Sequence, residues 1–454
     1  MNSADSSSGA SPTMVNAFDQ ADLSQLPDRV RAQVVRRNTV LGSSYRLFYR
    51  TPVEVVRGHG VLLYDAEGND YLDAYNNVPC VGHSHPKVAA AVSAQMTTLN
   101  TNTRYIQESI LDYSEQLLAT FPDELGKVIY TCTGSEANDL AMRVARYVTG
   151  REGVIVTANA YHGLTAQVAA FSPSLGPNSP LGPHVRVIDA PDELRLPDGE
   201  TVGRHMRAQV RSAIADLERH GAGLCAFIAD SIFSSDGIFA HPRGFLRDIA
   251  DEVHRAGGLY IADEVQPGFG RNGDDWWGFQ RHDVLPDIVT VGKPMGNGIP
   301  TAAAIFRPDL LDQFGSNIRY FNTFGGNSVS IAAAQAVLDV IREDELISNA
   351  HRVGAYLMDG LRAVTAPDDR VLQVRGAGLF IGVDMVTDRE SATPDGALAD
   401  DIVNGLRERR VLISASGPSG NVLKVRPPLP IGVLHAERLL EEFERALSTR
   451  RAPR

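Results

Sequence analysis

Short, nearly unbroken apolar runs alternate with amphipathic stretches through the middle of the chain. Val128-Ile-Tyr-Thr131, Val154-Ile-Val-Thr157, Val185-Arg-Val-Ile188, Leu224-Cys-Ala-Phe-Ile-Ala229, Leu259-Tyr-Ile-Ala262 and Ile288-Val-Thr-Val291 are rich in β-branched residues. Such runs fit strands covered on both faces, as in a parallel sheet. Between them, Glu136–Tyr147 and Phe245–Ala256 carry apolar residues at helical spacing. The alternation predicts an α/β fold with helices on both sides of a mainly parallel sheet.

The texture differs toward both ends. The segment Gly60-Val-Leu-Leu-Tyr-Asp-Ala-Glu-Gly-Asn-Asp-Tyr-Leu-Asp73 reads as two strands joined by a turn at Ala66–Asn69. After about residue 340 helices mix with shorter strands, among them Leu379–Asp384 and Val422–Val425. The expected division is a disordered, Ser-rich tail over 1–14 and a small α+β domain built from 15–85 and 341–454. Residues 86–340 form the large domain between them.

Composition narrows the class. At 454 residues the chain exceeds the roughly 250–300 at which a single core stops growing. Its net charge of −12 argues against nucleic acid and against an anionic membrane surface. No 18-residue apolar run is present to span a bilayer. Cys80, Cys132 and Cys225 are scattered singly, and the polar start MNSADSSSGASPT lacks the pattern of a signal peptide. Together these predict a cytoplasmic location.

Candidate chemistry begins with lysine. Only Lys87, Lys127, Lys293 and Lys424 occur; arginine supplies the other 39 of the 43 basic residues. Lys293 follows a buried-strand pattern and precedes Pro-Met-Gly-Asn-Gly. It reads either as a lysine snorkelling from a strand end or as a desolvated amine, nucleophilic toward carbonyls. Asp263 closes another apolar run, where it needs a cation: a protonated pyridine nitrogen or a neighbouring arginine. Thr133-Gly-Ser-Glu-Ala137 follows a strand and opens a helix, fitting an anion site or a simple cap with Ser135 as N-cap. The Gly-rich hydroxyl segment Asn322-Thr-Phe-Gly-Gly-Asn327 is a second phosphate candidate. Gly376-Ala-Gly378 precedes a strand instead of linking strand to helix, so it is not a dinucleotide loop. His83-Ser-His85-Pro lacks further ligands and reads as a turn, so no metal is expected.

In combination these segments resemble the class III (ω-amino) aminotransferases of pyridoxal-phosphate fold type I. The likeness runs from roughly residue 40 to 445. It is carried by Gly82-His-Ser-His-Pro86, Thr133-Gly-Ser-Glu-Ala-Asn138, Tyr161-His-Gly163, Asp263-Glu-Val-Gln266, Gly268-Phe-Gly-Arg271, Gly292-Lys-Pro294 and Thr323-Phe-Gly-Gly-Asn327. The resemblance implies a seven-stranded, mainly parallel sheet in the large domain and a pyridoxal 5'-phosphate cofactor. Lys293 is similar to the lysine that holds it as a Schiff base, and Asp263 to the partner of its pyridine nitrogen. Gly134 and Ser135 resemble part of the phosphate cup, completed by Thr323 across a homodimer interface. Tyr161, with His162 beside it, resembles the aromatic on one ring face, Val265 the residue on the other, and Gln266 the group near the ring hydroxyl. Arg426 resembles an arginine that receives a substrate carboxylate. Asp230 departs from the pattern, which has Glu at that position near the arginine.

A narrower likeness is to the ethanolamine-phosphate phospho-lyase group, through Asn76-Asn-Val78, Leu99-Asn-Thr-Asn-Thr-Arg-Tyr105, Asn138-Asp-Leu-Ala141, Gly292-Lys-Pro-Met-Gly-Asn-Gly298, Tyr320-Phe-Asn-Thr-Phe324 and Val411-Leu-Ile-Ser414. It implies elimination of phosphate from O-phosphoethanolamine. A dianion needs cationic or amide donors, for which Arg104, Asn77 and Tyr45 are candidates; a carboxylate pair for Arg104 and a turn cap for Asn77 are the structural alternatives. The rival readings are an ω-amino aminotransferase, which Arg426 favours, and a cofactor-binding scaffold without catalysis, which the retained lysine and aspartate disfavour. A dimer or a tetramer fits the resemblance.

Overall fold

The computed structural model describes residues 14–449; the expected tail lies outside these apart from Met14. The central sheet has seven strands in the order Lys127–Thr131, Ala302–Phe306, Ile288–Val291, Leu259–Asp263, Leu224–Asp230, Gly153–Thr157 and Val185–Ile188. The last five named run parallel. Ala302–Phe306 runs antiparallel to both of its neighbours.

Successive side chains of a strand point to opposite faces, and both faces here are apolar. Val154, Val156, Ala226, Ile228 and Ile261 join one core with Leu140, Met142 and Val144 of the helix Gly134–Thr149. Their neighbours Ile155, Phe227, Ala229, Tyr260 and Ala262 join the other core. There they meet Met206 and Val210 of the helix Val202–Arg219 and Leu246, Ile249 and Val253 of the helix Phe245–Arg255. Each Val, Leu, Ile, Phe or Met side chain among them contributes about 1.5–3 kcal/mol on full burial.

Two four-stranded sheets accompany the central one. Val55–His59, Leu62–Asp65 and Asp70–Asp73 are antiparallel. The C-terminal strand Val411–Leu412 adds in parallel beside Asp70–Asp73, so chain from both termini builds this sheet. The other sheet runs Val371–Ala377, Phe380–Met385, Val422–Val425 and Ser414–Ser416, all antiparallel. It docks on the segment after Asp230: the Ser416 hydroxyl donates to the Ser234 carbonyl at 2.7 Å.

Candidate active site

Ligands of open α/β sheets bind at the carboxyl ends of the strands, and the polar cluster of this chain lies there. In register across three parallel strands stand Asp230, Asp263 and Thr290; Lys293 follows Thr290 by one short turn. A cavity of about 330 Å³ opens at this end.

Asp263 is buried and held on both oxygens. Its Oδ2 accepts from Asn138 Nδ2 at 3.0 Å and lies 2.7 Å from His162 Nδ1; its Oδ1 accepts from the Val265 amide at 3.1 Å. Asn138 is fixed in turn by the hydroxyl of Thr290, which donates to its Oδ1 at 2.6 Å. No arginine pairs with Asp263 among the described residues, so the carboxylate remains available to a cation entering the cavity. Burial without an opposite charge would be costly.

Lys293 has a backbone φ of 27°, in the left-handed region that costs a non-glycine residue strain and occurs mostly where function requires it. Its amine faces the cavity. Desolvation pushes its pKa down to about 8, Arg426 pushes in the same direction, and Asp263 and Asp230 oppose the fall. About a tenth of the amine is then free at pH 7, far more than at the usual lysine pKa, which makes a carbonyl nucleophile.

The entrance to the helix Gly134–Thr149 forms the opposite wall. Thr133, not Ser135, is the N-cap: its hydroxyl accepts from the Glu136 amide at 3.1 Å while the Glu136 carboxylate accepts from Cys132 and Thr133 amides at 2.7 and 3.2 Å. Ser135 Oγ instead accepts from the Leu164 amide at 3.0 Å. No room for side chains exists here. A Cβ on Gly134 would stand 2.9 Å from Val265 Cγ1, and one on Gly163 only 2.4 Å from Ser135 Oγ. Bare backbone at a helix N-terminus is suited to a phosphate.

Nine of the residues singled out in the sequence line this one cavity: Gly134, Ser135, Tyr161, His162, Asp230, Asp263, Val265, Gln266 and Lys293. Arg426 is buried beside it, donating to Gln266 Oε1 and, at 3.1 Å, to the Tyr75 carbonyl. It makes no ion pair with Asp230, whose carboxylate is taken by the Ser234 hydroxyl and the amides of Ile232 and Ser234 at 3.0 and 3.1 Å. Asn77 is buried with its Nδ2 unpartnered, next to Val78 of the cavity wall. Thr323, Arg104 and Tyr45 are not brought into the cavity. Thr323 is exposed, Arg104 lies 3.8 Å over the Phe321 ring, and Tyr45 is 71% exposed beside a separate cleft.

Sequence reasoning assigned no role to Asn138, Thr290 or Lys424. Asn138 carried a readable signal, an amide among the apolar positions of the helix Gly134–Thr149. Its role as second support of Asp263 needed the packing of helix on sheet.

The comparisons with known proteins agree with this geometry. Residues 47–447 match the class III aminotransferase family, and the chain belongs to it; it is an enzyme of a family whose members depend on pyridoxal phosphate. Among its relatives, an alanine–glyoxylate aminotransferase 2-like protein of Drosophila melanogaster is 38% identical, over 95% of this chain and 90% of the relative. Ethanolamine-phosphate phospho-lyase homolog 1 of Caenorhabditis elegans is also 38% identical, over 87% and 88%. A phospholyase from Arthrobacter, solved in complex with phosphoethanolamine, superposes with a TM-score of 0.89 at 43% identity, covering 93% of this chain and 100% of that one.

Proposed function

We propose that this enzyme is a pyridoxal-phosphate-dependent phospho-lyase: O-phosphoethanolamine and water yield acetaldehyde, ammonia and inorganic phosphate. The observation that carries the reading is the likeness, over nearly the whole chain, to a phospholyase solved with phosphoethanolamine, joined to an intact lysine–aspartate site.

The residues present fit the cofactor. Lys293 would hold its aldehyde carbon, Asp263 its ring nitrogen, Tyr161 and Val265 the two ring faces, and Gln266 the ring hydroxyl. His162 would brace Asp263, and Asp230 would close the cavity wall. Gly134 and Ser135 would cradle its phosphate, where no Cβ intrudes. When bound, the group supplies an electron sink beside the reacting carbon. The amine of Lys293 then takes the proton from the carbon next to the substrate nitrogen, its lowered pKa leaving it unprotonated enough to do so. The phosphate departs with the electron pair of its C–O bond from the adjacent carbon. Asp263, pinned by Asn138 and His162, keeps a fixed negative charge opposite the sink.

A homodimer is part of this proposal. The loops at 100–106 and 321–327 touch, Asn327 Nδ2 donating to Asn100 Oδ1. They expose Tyr105, Ile106 and Phe324 at 66, 96 and 68%. Clustered exposed apolar side chains mark a protein-binding surface, and the position of Thr323 and Arg104 among them supports a role for both in a partner's cavity. The division into a small domain from 15–85 and 341–454 and a large domain over 86–340 is supported by the strand Val411–Leu412 joining the N-terminal sheet. A cytoplasmic location is supported by three unpaired cysteines. Among the described residues, no helix is long and apolar enough to cross a membrane.

The second reading, amino transfer to a keto acid, is favoured by buried Arg426. One assay separates the two: the cofactor-loaded enzyme with O-phosphoethanolamine and no keto acid. Many equivalents of phosphate and acetaldehyde are expected; one equivalent, or activity only with pyruvate, overturns the lyase.

A further inference from the structure

Lys424 has no place in the chemistry so far. It lies in the strand Val422–Val425, opposite Gly382 on one side and Ser414 on the other. Leu423 and Val425 are fully buried and Val422 and Arg426 nearly so, whereas Lys424 is half-buried. The two-residue period puts it on the same face as Val422 and Arg426. Val422 packs with Ile232 and Phe380, just beyond Asp230. The Arg426 guanidinium stands 5.3 Å from the centre of the Phe380 ring and donates to Gln266 of the cavity wall. Lys424 is therefore framed by the Asp230 turn on one side and Arg426 on the other.

Its charge is uncompensated. No hydrogen bond or ion pair reaches its amine among the described residues. The charged groups acting on it are Arg426 and Lys293, both of its own sign, and Asp230, already engaged by Ser234 and two amides. Burial and the two cations push its pKa down to about 7. Two cations side by side with one occupied carboxylate describe a site short of an anion. Asn77, with its unpartnered amide, adds a donor next to Val78 of the cavity wall.

The geometry points to Lys424, with Arg426, as the group that binds the phosphate of the substrate and so selects a phosphorylated amine over one bearing a carboxylate. This inference rests on the phospho-lyase reading and names the residues that reading lacks. A dianion supplies the missing countercharge, raises the affinity of Lys424 for its proton, and draws a proton from solvent as it binds.

The test is calorimetric titration of the cofactor-loaded enzyme with inorganic phosphate about one pH unit above neutrality, where phosphate is already the dianion and Lys424 mostly neutral, in buffers of different ionisation enthalpy. Phosphate binding with proton uptake is expected. Lys424→Met should weaken it at least ~10-fold, as loss of one charged hydrogen bond does, and Lys424→Arg should restore most of it. KM for O-phosphoethanolamine should rise by a similar factor while kcat holds. Absence of phosphate binding to the native enzyme overturns the inference. So does a Lys424→Met enzyme with native coenzyme absorbance and unchanged phosphate affinity, or an equal loss of pyruvate affinity. Should Lys424→Met fail to fold, Lys424→Gln is read by the same criteria. An enzyme that binds phosphate through Lys424 yet releases none from O-phosphoethanolamine upholds this inference and refutes the lyase.

Discussion

Two lysines, one just beyond the central sheet and one within the C-terminal sheet, show how surroundings divide a common chemistry. Lys293 stands just past a strand of the central sheet and Lys424 within a strand of the C-terminal sheet. Desolvation lowers both, to about 8 and about 7. The difference lies in what faces them. Lys293 has two carboxylates, Asp263 and Asp230, against one cation, Arg426. Lys424 has two cations and a single carboxylate. An amine balanced by carboxylates is suited to lose and regain a proton; an amine crowded by cations is suited to receive an anion.

The comparison breaks most sharply at the first lysine. Lys293→Ala should cut phosphate release by at least ~10³-fold, because nucleophile and base are lost together. Retention of more than a few per cent of native turnover, measured as phosphate released, would move the chemistry elsewhere. Asp263→Asn keeps the size and removes the charge held by Asn138 and His162. A fall in kcat of about 10²–10³-fold is expected, the usual cost of one preorganised electrostatic partner, with circular dichroism unchanged.

A pH series sharpens the contrast between the two amines. Coenzyme capture needs the unprotonated form of Lys293, so its rate should rise about tenfold per pH unit below the pKa and level off above about 8. Phosphate binding needs the protonated form of Lys424, so affinity should fall as pH rises through about 7. Following the coenzyme's visible absorbance for one and calorimetry for the other should give slopes of opposite sign; parallel slopes would erase the distinction.

Much of the fold was legible because buried parallel strands are short apolar runs and their helices are amphipathic. All six expected strands of the central sheet are present. The seventh, Ala302–Phe306, escaped notice because Ala-Ala-Ala reads as helix-forming; it becomes a strand by pairing on both sides. Val55–His59 is largely exposed and shows no apolar run. Ser135 looked like the cap, yet Thr133 is one, since the reciprocal bonds with Glu136 start the helix earlier. In the site, strand-end and helix-entry residues were readable from local pattern. Arg104, Tyr45 and Thr323 are not, because local pattern carries no information on which cavity a loop serves.

The sequence by itself determined the order of elements, the helices and buried strands of the centre, and the arrival of Lys293 and Asp263 at strand ends, since periodicity and burial act over a few residues. Only the packing of the chain decided that Asn138 and His162 pin Asp263, that Arg426 meets Gln266 and not Asp230, and that Lys424 comes within electrostatic reach of Lys293 and Arg426. These relations depend on which strands are neighbours and how helices pack on them, and that placement alone sets the distances and desolvation behind charge and pKa.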